Sequence, residues 1–149
     1  MNFREIPVFV TQDERAYFLS KITDTDWHQH RSTASGQLSP LQYKRIVYRG
    51  IEAGLMKMDA NAIQDWHTDG VNLKRSTVII HPLTDNYSPF KSKQGESVHP
   101  IIADTQQDHA VFNNNNVRMN LQIPFDVDYN DALDYNSVVS KTLRRFYGE

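Results

Sequence analysis

Hydrophobic and polar positions change their spacing twice along the chain. The first segment begins at Thr11-Gln12-Asp13-Glu14. This is a capping box, because the Thr11 hydroxyl can accept from the Glu14 amide while the Glu14 carboxylate reaches back to the Thr11 amide. A helix from about 12 to 22 is expected behind it, with Tyr17, Phe18, Leu19 and Ile22 as its apolar face. Residues 23–39 are polar, rich in Asp, His, Ser and Thr, and punctuated by Gly36, so they predict a loop. Ser39-Pro40 offers a cap and a proline at the first helical position, which predicts a second helix running towards Arg49.

From Gly54 to Phe125 the pattern becomes one of short β-prone runs separated by turn residues. Strands are expected at 55–59, 62–67, 77–81, 98–102, 109–112 and 117–124. The turns between them are Asp59-Ala60-Asn61, Asp69-Gly70 and the run Asn113-Asn114-Asn115-Asn116. Residues 84–97 carry Pro89 and Gly95 and form the longest expected loop. A last helix is expected at 136–147, with Val138, Val139, Leu143 and Phe146 on its apolar side and Gly148 as its stop. Helices, then six or more closely spaced strands, then a helix predict a mainly β (α+β) domain. Its form is an antiparallel sandwich or jelly roll with helices buttressing one sheet.

Composition bears on function more than on fold. A chain of 149 residues suits one domain, here 1–149 with its β core at 54–125. A formal net charge of -2 gives no global attraction to nucleic acid or to an anionic membrane. The absence of cysteine excludes disulfides, thiolate zinc sites and a cysteine nucleophile, so any metal must be held by His, Asp or Glu. Met1-Asn2-Phe3-Arg4-Glu5 lacks the basic and apolar stretches of a signal peptide, and no run approaches the ~18 apolar residues of a membrane span. A cytoplasmic location is the resulting expectation.

Trp66-His67-Thr68-Asp69-Gly70 places a histidine and an aspartate two positions apart, which on extended chain sends both side chains to one face. Alone, the triplet is equally a strand ending in a polar turn. The segment Asp108-His109-Ala110-Val111-Phe112, the asparagines and Val117-Arg118-Met119-Asn120-Leu121-Gln122-Ile123 together have the form of a β-hairpin. A turn centred on Asn114-Asn115 would pair 112 with 117, 111 with 118 and 109 with 120. One face would then carry His109, Val111, Arg118, Asn120 and Gln122. The other would carry Ala110, Phe112, Val117, Met119, Leu121 and Ile123, suited to packing on helices. Two histidines and a carboxylate on adjoining strands make the facial triad that suits iron(II).

In this order, His67-x-Asp69, then His109, then Arg118 nine positions later, the chain resembles the iron(II) and 2-oxoglutarate-dependent oxygenases, in particular their prolyl and aspartyl/asparaginyl hydroxylase-like branch. The stretches Leu55 to Asp59 and Trp66 to Gly70, and His109-x-Val111-x-Asn113 ahead of Arg118 and Leu121, carry the same resemblance, which covers roughly 55–125. The resemblance implies a double-stranded β-helix of the cupin-like, jelly-roll kind. It also implies His67, Asp69 and His109 as iron ligands and Arg118 as the partner of the distal carboxylate of 2-oxoglutarate. With O2, such an enzyme hydroxylates a substrate and releases succinate and CO2; a peptide or free amino acid is the favoured substrate. Arginine fits its role because its planar fork makes two parallel bonds to a carboxylate, which lysine cannot reproduce. Asn120 and Gln122, inward on the expected register, are further candidates for co-substrate contact.

Blander assignments compete at every position. An arginine in a strand is ordinarily a surface or ion-paired residue. His28 and His30 lie in a polar segment without a carboxylate pattern, and His81 and His99, each before a proline, suit structural roles. Lys74-Arg75 and Lys91-x-Lys93 suit a solvated charge cluster better than a basic rim. For the whole chain the rival assignments are a cupin-like metal protein of other activity and a metal-free β-sandwich binding module. Oligomeric state is not legible.

Overall fold

A computed structural model gives the fold for residues 2–21, 27–29, 40–69 and 77–147. In chain order its elements are β1 (Phe3–Glu5), α1 (Gln12–Ser20), β2 (His28–Gln29), β3 (Leu41–Tyr48), β4 (Ile51–Met58), β5 (Ile63–His67), β6 (Thr77–Pro82) and β7 (Phe90–Ser92). There follow β8 (Gly95–Ser97), β9 (Ile101–Asp104), β10 (His109–Phe112), β11 (Arg118–Phe125), α2 (Tyr129–Ala132) and α3 (Val138–Phe146). Most of the expected loop at 23–39, with His30 in it, lies outside the described residues, as do Ile22, Gly70, Lys74-Arg75 and Gly148.

The strands form two antiparallel sheets, a seven-stranded one ordered β1-β9-β6-β11-β4-β3-β2 and a four-stranded one ordered β5-β10-β7-β8. From β4 onward the chain passes back and forth: β4, β6, β9 and β11 lie in the larger sheet, β5, β7, β8 and β10 in the smaller. The result is a mainly β, jelly-roll-like fold. Period-2 alternation then sorts the residues of each strand between two layers. On the outer face of the larger sheet, Ile51, Ala53, Leu55, Ile79, Ile102, Leu121 and Ile123 form the main core with Phe18 of α1 and Val139 and Phe146 of α3. Between the sheets lie two smaller apolar clusters. One joins Phe3, Val78, Ile80, Ile101 and Ala103 to Phe90 of the smaller sheet, and the other joins Leu41, Met56 and Met58 to Val111. No helix among the described residues is long and apolar enough to cross a membrane.

The capping box forms as expected, with both Thr11–Glu14 bonds at 3.1 Å. The terminal helix also forms, capped by Ser137, whose hydroxyl accepts from the Ser140 amide at 3.1 Å. The helix expected after Ser39-Pro40 does not: 41–48 is strand β3, paired along its whole length with β4. Leu-Gln-Tyr-Lys-Arg-Ile-Val-Tyr is rich in β-branched and aromatic residues. Arg49 and Gly50, both at positive φ (52° and 73°), make the two-residue turn that matches the twist of a hairpin. The Arg49 guanidinium then donates to the carbonyls of Arg145 and Phe146 at 3.0 and 2.8 Å, fastening that turn to the carboxyl end of α3.

Two further expectations are corrected. Residues 84–97 are not all loop, since β7 and β8 pair there as a short hairpin. More consequentially, β10 and β11 do not pair with each other. β10 lies between β5 and β7, and β11 between β4 and β6. The asparagine run is a crossing between sheets, and the expected pairs 112 with 117, 111 with 118 and 109 with 120 do not exist. On β10 the residues expected to pack on helices, Ala110 and Phe112, do not join the helix-packed core, and Phe112 is 37 % exposed.

Candidate metal centre

His67 ends β5 and His109 begins β10, and the two are direct cross-strand partners. Between this pair and the next, Gln64 opposite Val111, three steps of β5 match two of β10. That bulge lets His67 and Gln64, three positions apart, both be buried. Asp69, just beyond the strand, is held by its main-chain N–H, which donates to the Thr105 carbonyl at 2.9 Å. Asp69 Oδ1 then lies 3.6 Å from His67 Nε2 and 3.5 Å from His109 Nε2. These distances exceed the ~2.7–2.9 Å of a charge-assisted hydrogen bond.

The tautomers are set by the backbone. His67 Nδ1 lies 2.6 Å from the Asp65 carbonyl and His109 Nδ1 2.8 Å from the Gln107 carbonyl. A carbonyl only accepts, so each Nδ1 carries a proton and each Nε2 is turned to the carboxylate, free to bind a metal when the ring is neutral and to donate when it is protonated. His67 Nε2 is buried with no hydrogen-bond partner. Burial pushes the Asp69 carboxyl up, but the facing imidazoles of His109 and His67 outweigh it and hold the carboxyl well below the usual carboxylate range. Burial likewise pushes His67 down, and Asp69, the Asp65 carbonyl and the charge of Asp108 reverse this, raising it overall.

The three ligand atoms lie within 4.8 Å of one another and can hold a metal ion. The donor set fits a divalent first-row ion: two neutral imidazole nitrogens and one ionised carboxylate, one nitrogen buried and otherwise unpaired, with no thiolate to select a softer metal. Among the described residues no other cluster of this kind occurs.

Arg118 opens β11 and, with Asn120, faces into the sandwich, while Leu121 and Ile123 face the helices. That division of faces is the one expected, although the strand partners are not. Arg118 is 8 % exposed, and among the described residues no carboxylate pairs with it. Burial alone pushes its guanidinium down to about 10. Its Nε donates to the Ser88 carbonyl at 3.3 Å. Asn120, with its amide oriented to satisfy both neighbours, accepts from Arg118 Nη1 at 2.6 Å and donates to the Met119 carbonyl at 3.1 Å. Gln122 is half-buried on the same side of β11.

A cavity of about 160 Å³ lies against Arg118, Asn120, Ser88, Phe90 and Ile80. None of the three triad residues lines it. Phe90 touches both places, since it lines the cavity and its ring stacks on His109 with centroids 5.5 Å apart.

Sequence reasoning passed over Phe90 and Ser88 because both fell in a segment taken as loop. The alternation of Phe90 and Ser92, both buried, was the available signal. The remaining described histidines stay out of the centre. His28 is exposed beside Tyr43, His99 is exposed, and His81 is buried edge-on against Phe9, with burial pushing its pKa down. Lys91 and Lys93 cover the rings of Phe112 and Trp66 at 5.4 and 3.8 Å.

No protein-family model and no curated protein matches the chain. Among solved structures it is similar to that of Rhodobacter sphaeroides SigE in complex with the anti-sigma ChrR, with 13% identity over 80% of this chain and 70% of that one and a TM-score of 0.44. That likeness is too distant to bear on activity.

Proposed function

We propose that this protein is an iron(II) and 2-oxoglutarate-dependent oxygenase that hydroxylates a peptide or free amino acid. The observation that carries this reading is Arg118: a guanidinium buried with no counter-charge among the described residues, inside the same sandwich as a two-histidine, one-carboxylate cluster. A buried cation costs several kcal/mol of desolvation unless an anion meets it, so its natural complement is an anionic ligand. The strand order supports the finer description of the fold. β4-β11-β6-β9 and β5-β10-β7-β8 are two four-stranded layers through which the chain winds alternately, as in a double-stranded β-helix.

One apolar cluster joins the strands that carry the two halves of the site. Val111, two residues beyond His109, packs in one cluster with Met56 and Met58, the β4 partners of Asn120 and Arg118. The strand of His109 and the strand of Arg118 thus meet across the interior of one sandwich.

In this reading His67 and His109, each through Nε2, and Asp69 through its carboxylate would hold iron(II). Arg118, supported by Asn120, receives the distal carboxylate of 2-oxoglutarate. Iron and 2-oxoglutarate together supply the oxidising chemistry that inserts one atom of O2 into a substrate C–H bond as the keto acid becomes succinate and CO2. Phe90 covers one face of the His109 ring and limits water there. The Asp65 and Gln107 carbonyls keep both ligand imidazoles in the metal-binding tautomer.

The test is anaerobic addition of iron(II) and 2-oxoglutarate to the folded protein. A weak visible charge-transfer band is expected, followed by succinate release when O2 and a panel of peptides and amino acids are supplied. A folded, metal-loaded sample that gives no band on adding 2-oxoglutarate would overturn the reading.

A further inference from the structure

The run Asn113-Asn114-Asn115-Asn116 links β10 to β11 across the two sheets. A flexible polar link would suffice for such a crossing. Its asparagines, half-buried at 113 and 114 and exposed at 115 and 116, instead build a network on Asn86, which is 6 % exposed. Asn86 Nδ2 donates to Asn114 Oδ1 at 3.1 Å and to the carbonyls of Asn116 and Val117 at 3.0 and 3.3 Å. Asn114 Nδ2 returns a bond to the Asn86 carbonyl at 2.6 Å. Asn113 Nδ2 donates to the carbonyls of Met58 and Asp59 at 3.3 and 2.8 Å, fastening the network to the end of β4.

The residue this network fixes is Ser88. Its main-chain N–H donates to Asn86 Oδ1 at 3.0 Å, its hydroxyl donates to Asn113 Oδ1 at 3.2 Å, and the hydroxyl oxygen accepts from the Asn114 N–H at 3.1 Å. Held at both ends, Ser88 presents its carbonyl to Arg118 Nε. Arginine has five N–H groups in one rigid plane. Nε is committed to Ser88 and one Nη1 hydrogen to Asn120, so the uncommitted hydrogens lie on Nη1 and Nη2. The side edge formed by Nε and Nη2 is thereby closed to a bidentate carboxylate, which is left the hydrogens of Nη1 and Nη2 that face the cavity side.

The geometry points to Asn86, Asn113 and Asn114 as positioning residues which, through Ser88, determine the edge of Arg118 that meets the distal carboxylate of 2-oxoglutarate. This rests on the reading of Arg118 as the co-substrate's receptor.

The test compares two keto acids on metal-loaded protein: 2-oxoglutarate, and 2-oxobutyrate, which has the same keto-acid end but no distal carboxylate. The parent reading expects 2-oxoglutarate to bind more tightly, with the preference erased in Arg118→Ala. The positioning role expects Asn86→Ala to weaken 2-oxoglutarate roughly tenfold while leaving metal and 2-oxobutyrate affinity unchanged. In the Arg118→Ala background the Asn86 substitution should then have no further effect. Equal weakening of both keto acids, undiminished affinity for 2-oxoglutarate, or an effect that persists without Arg118 would overturn the positioning role. A wild type that does not discriminate between the keto acids would remove Arg118 as the receptor, and the proposal with it. If Asn86→Ala fails to fold, Ser88→Ala, which severs the hydroxyl links but keeps the carbonyl, carries the same comparison.

Discussion

His109 and Arg118 stand on strands of different sheets, yet both side chains are buried inside the sandwich that those sheets enclose. The crossing at the asparagine run brings this about. It sets the metal ligand at the start of one strand and the guanidinium at the start of the next, with Phe90 stacked on the former and lining the cavity beside the latter.

Arg118 is expected to work against stability. Arg118→Met removes a buried cation that no carboxylate among the described residues neutralises, so the metal-free, ligand-free protein should gain roughly 1 kcal/mol or more. Thermal melts check this. The same variant should lose about a hundredfold in affinity for 2-oxoglutarate while keeping its metal affinity. A marked fall in Tm would show instead that Arg118 holds the fold together.

Metal should stabilise the protein through the triad alone. Iron(II), or cobalt(II) as a stable substitute, at a hundred times its Kd should add about 2.7 kcal/mol, and a chelator should reverse the gain. His67→Ala, His109→Ala and Asp69→Ala should each abolish the shift in Tm. A shift that survives in all three would place the ion elsewhere.

Glu14 should give the folded state an acid-sensitive contribution remote from the site. Burial pushes this carboxyl up, and the Tyr48 hydroxyl at 2.5 Å, the Thr11 bonds and the charge of Arg49 reverse the effect, so that its folded pKa lies below its ordinary value. A lowered folded pKa stabilises above the unfolded value, about 4.3 for Glu, and that stability is lost as pH falls through the folded value. Glu14→Gln should therefore be less stable than wild type at pH 7, and urea midpoints of the two proteins should draw together below about pH 4.

Leu121, adjacent to Asn120 but on the other face of β11, separates folding from binding. It is fully buried in the helix-packed core, so Leu121→Ala should cost about 2–5 kcal/mol. In the folded fraction the ratio of 2-oxoglutarate to 2-oxobutyrate affinity should not change. Calorimetry at a temperature where the variant is folded measures both quantities. A changed ratio would mean that the outer core reaches the site.

Much of the fold was legible because strand alternation and capping are local. The bounds of β10, the capping box at Thr11 and the two faces of β11 all follow from residues within a few positions of one another. The failure at 41–48 was also local, since a cap-and-proline signal at Ser39-Pro40 was weighed above the Arg49-Gly50 turn and the β-branched run before it. The error over β10 and β11 is of another kind. Alternation reports which residues share a face of a strand, but a strand's partners are chosen by backbone groups common to all residues and by how the sheets pack.

The sequence by itself determined the chemistry available: no thiolate, a His-x-Asp pair, and His109 and Arg118 further along, each inward on the alternation of its own strand. Only the tertiary structure decided that β5 and β10 are partners, which closes His67, Asp69 and His109 to within 4.8 Å. It also decided that Arg118 reaches the same interior from the opposing sheet, with no counter-charge among the described residues. The physical reason is that side-chain direction is set residue by residue, whereas strand pairing and burial are set by the whole core at once.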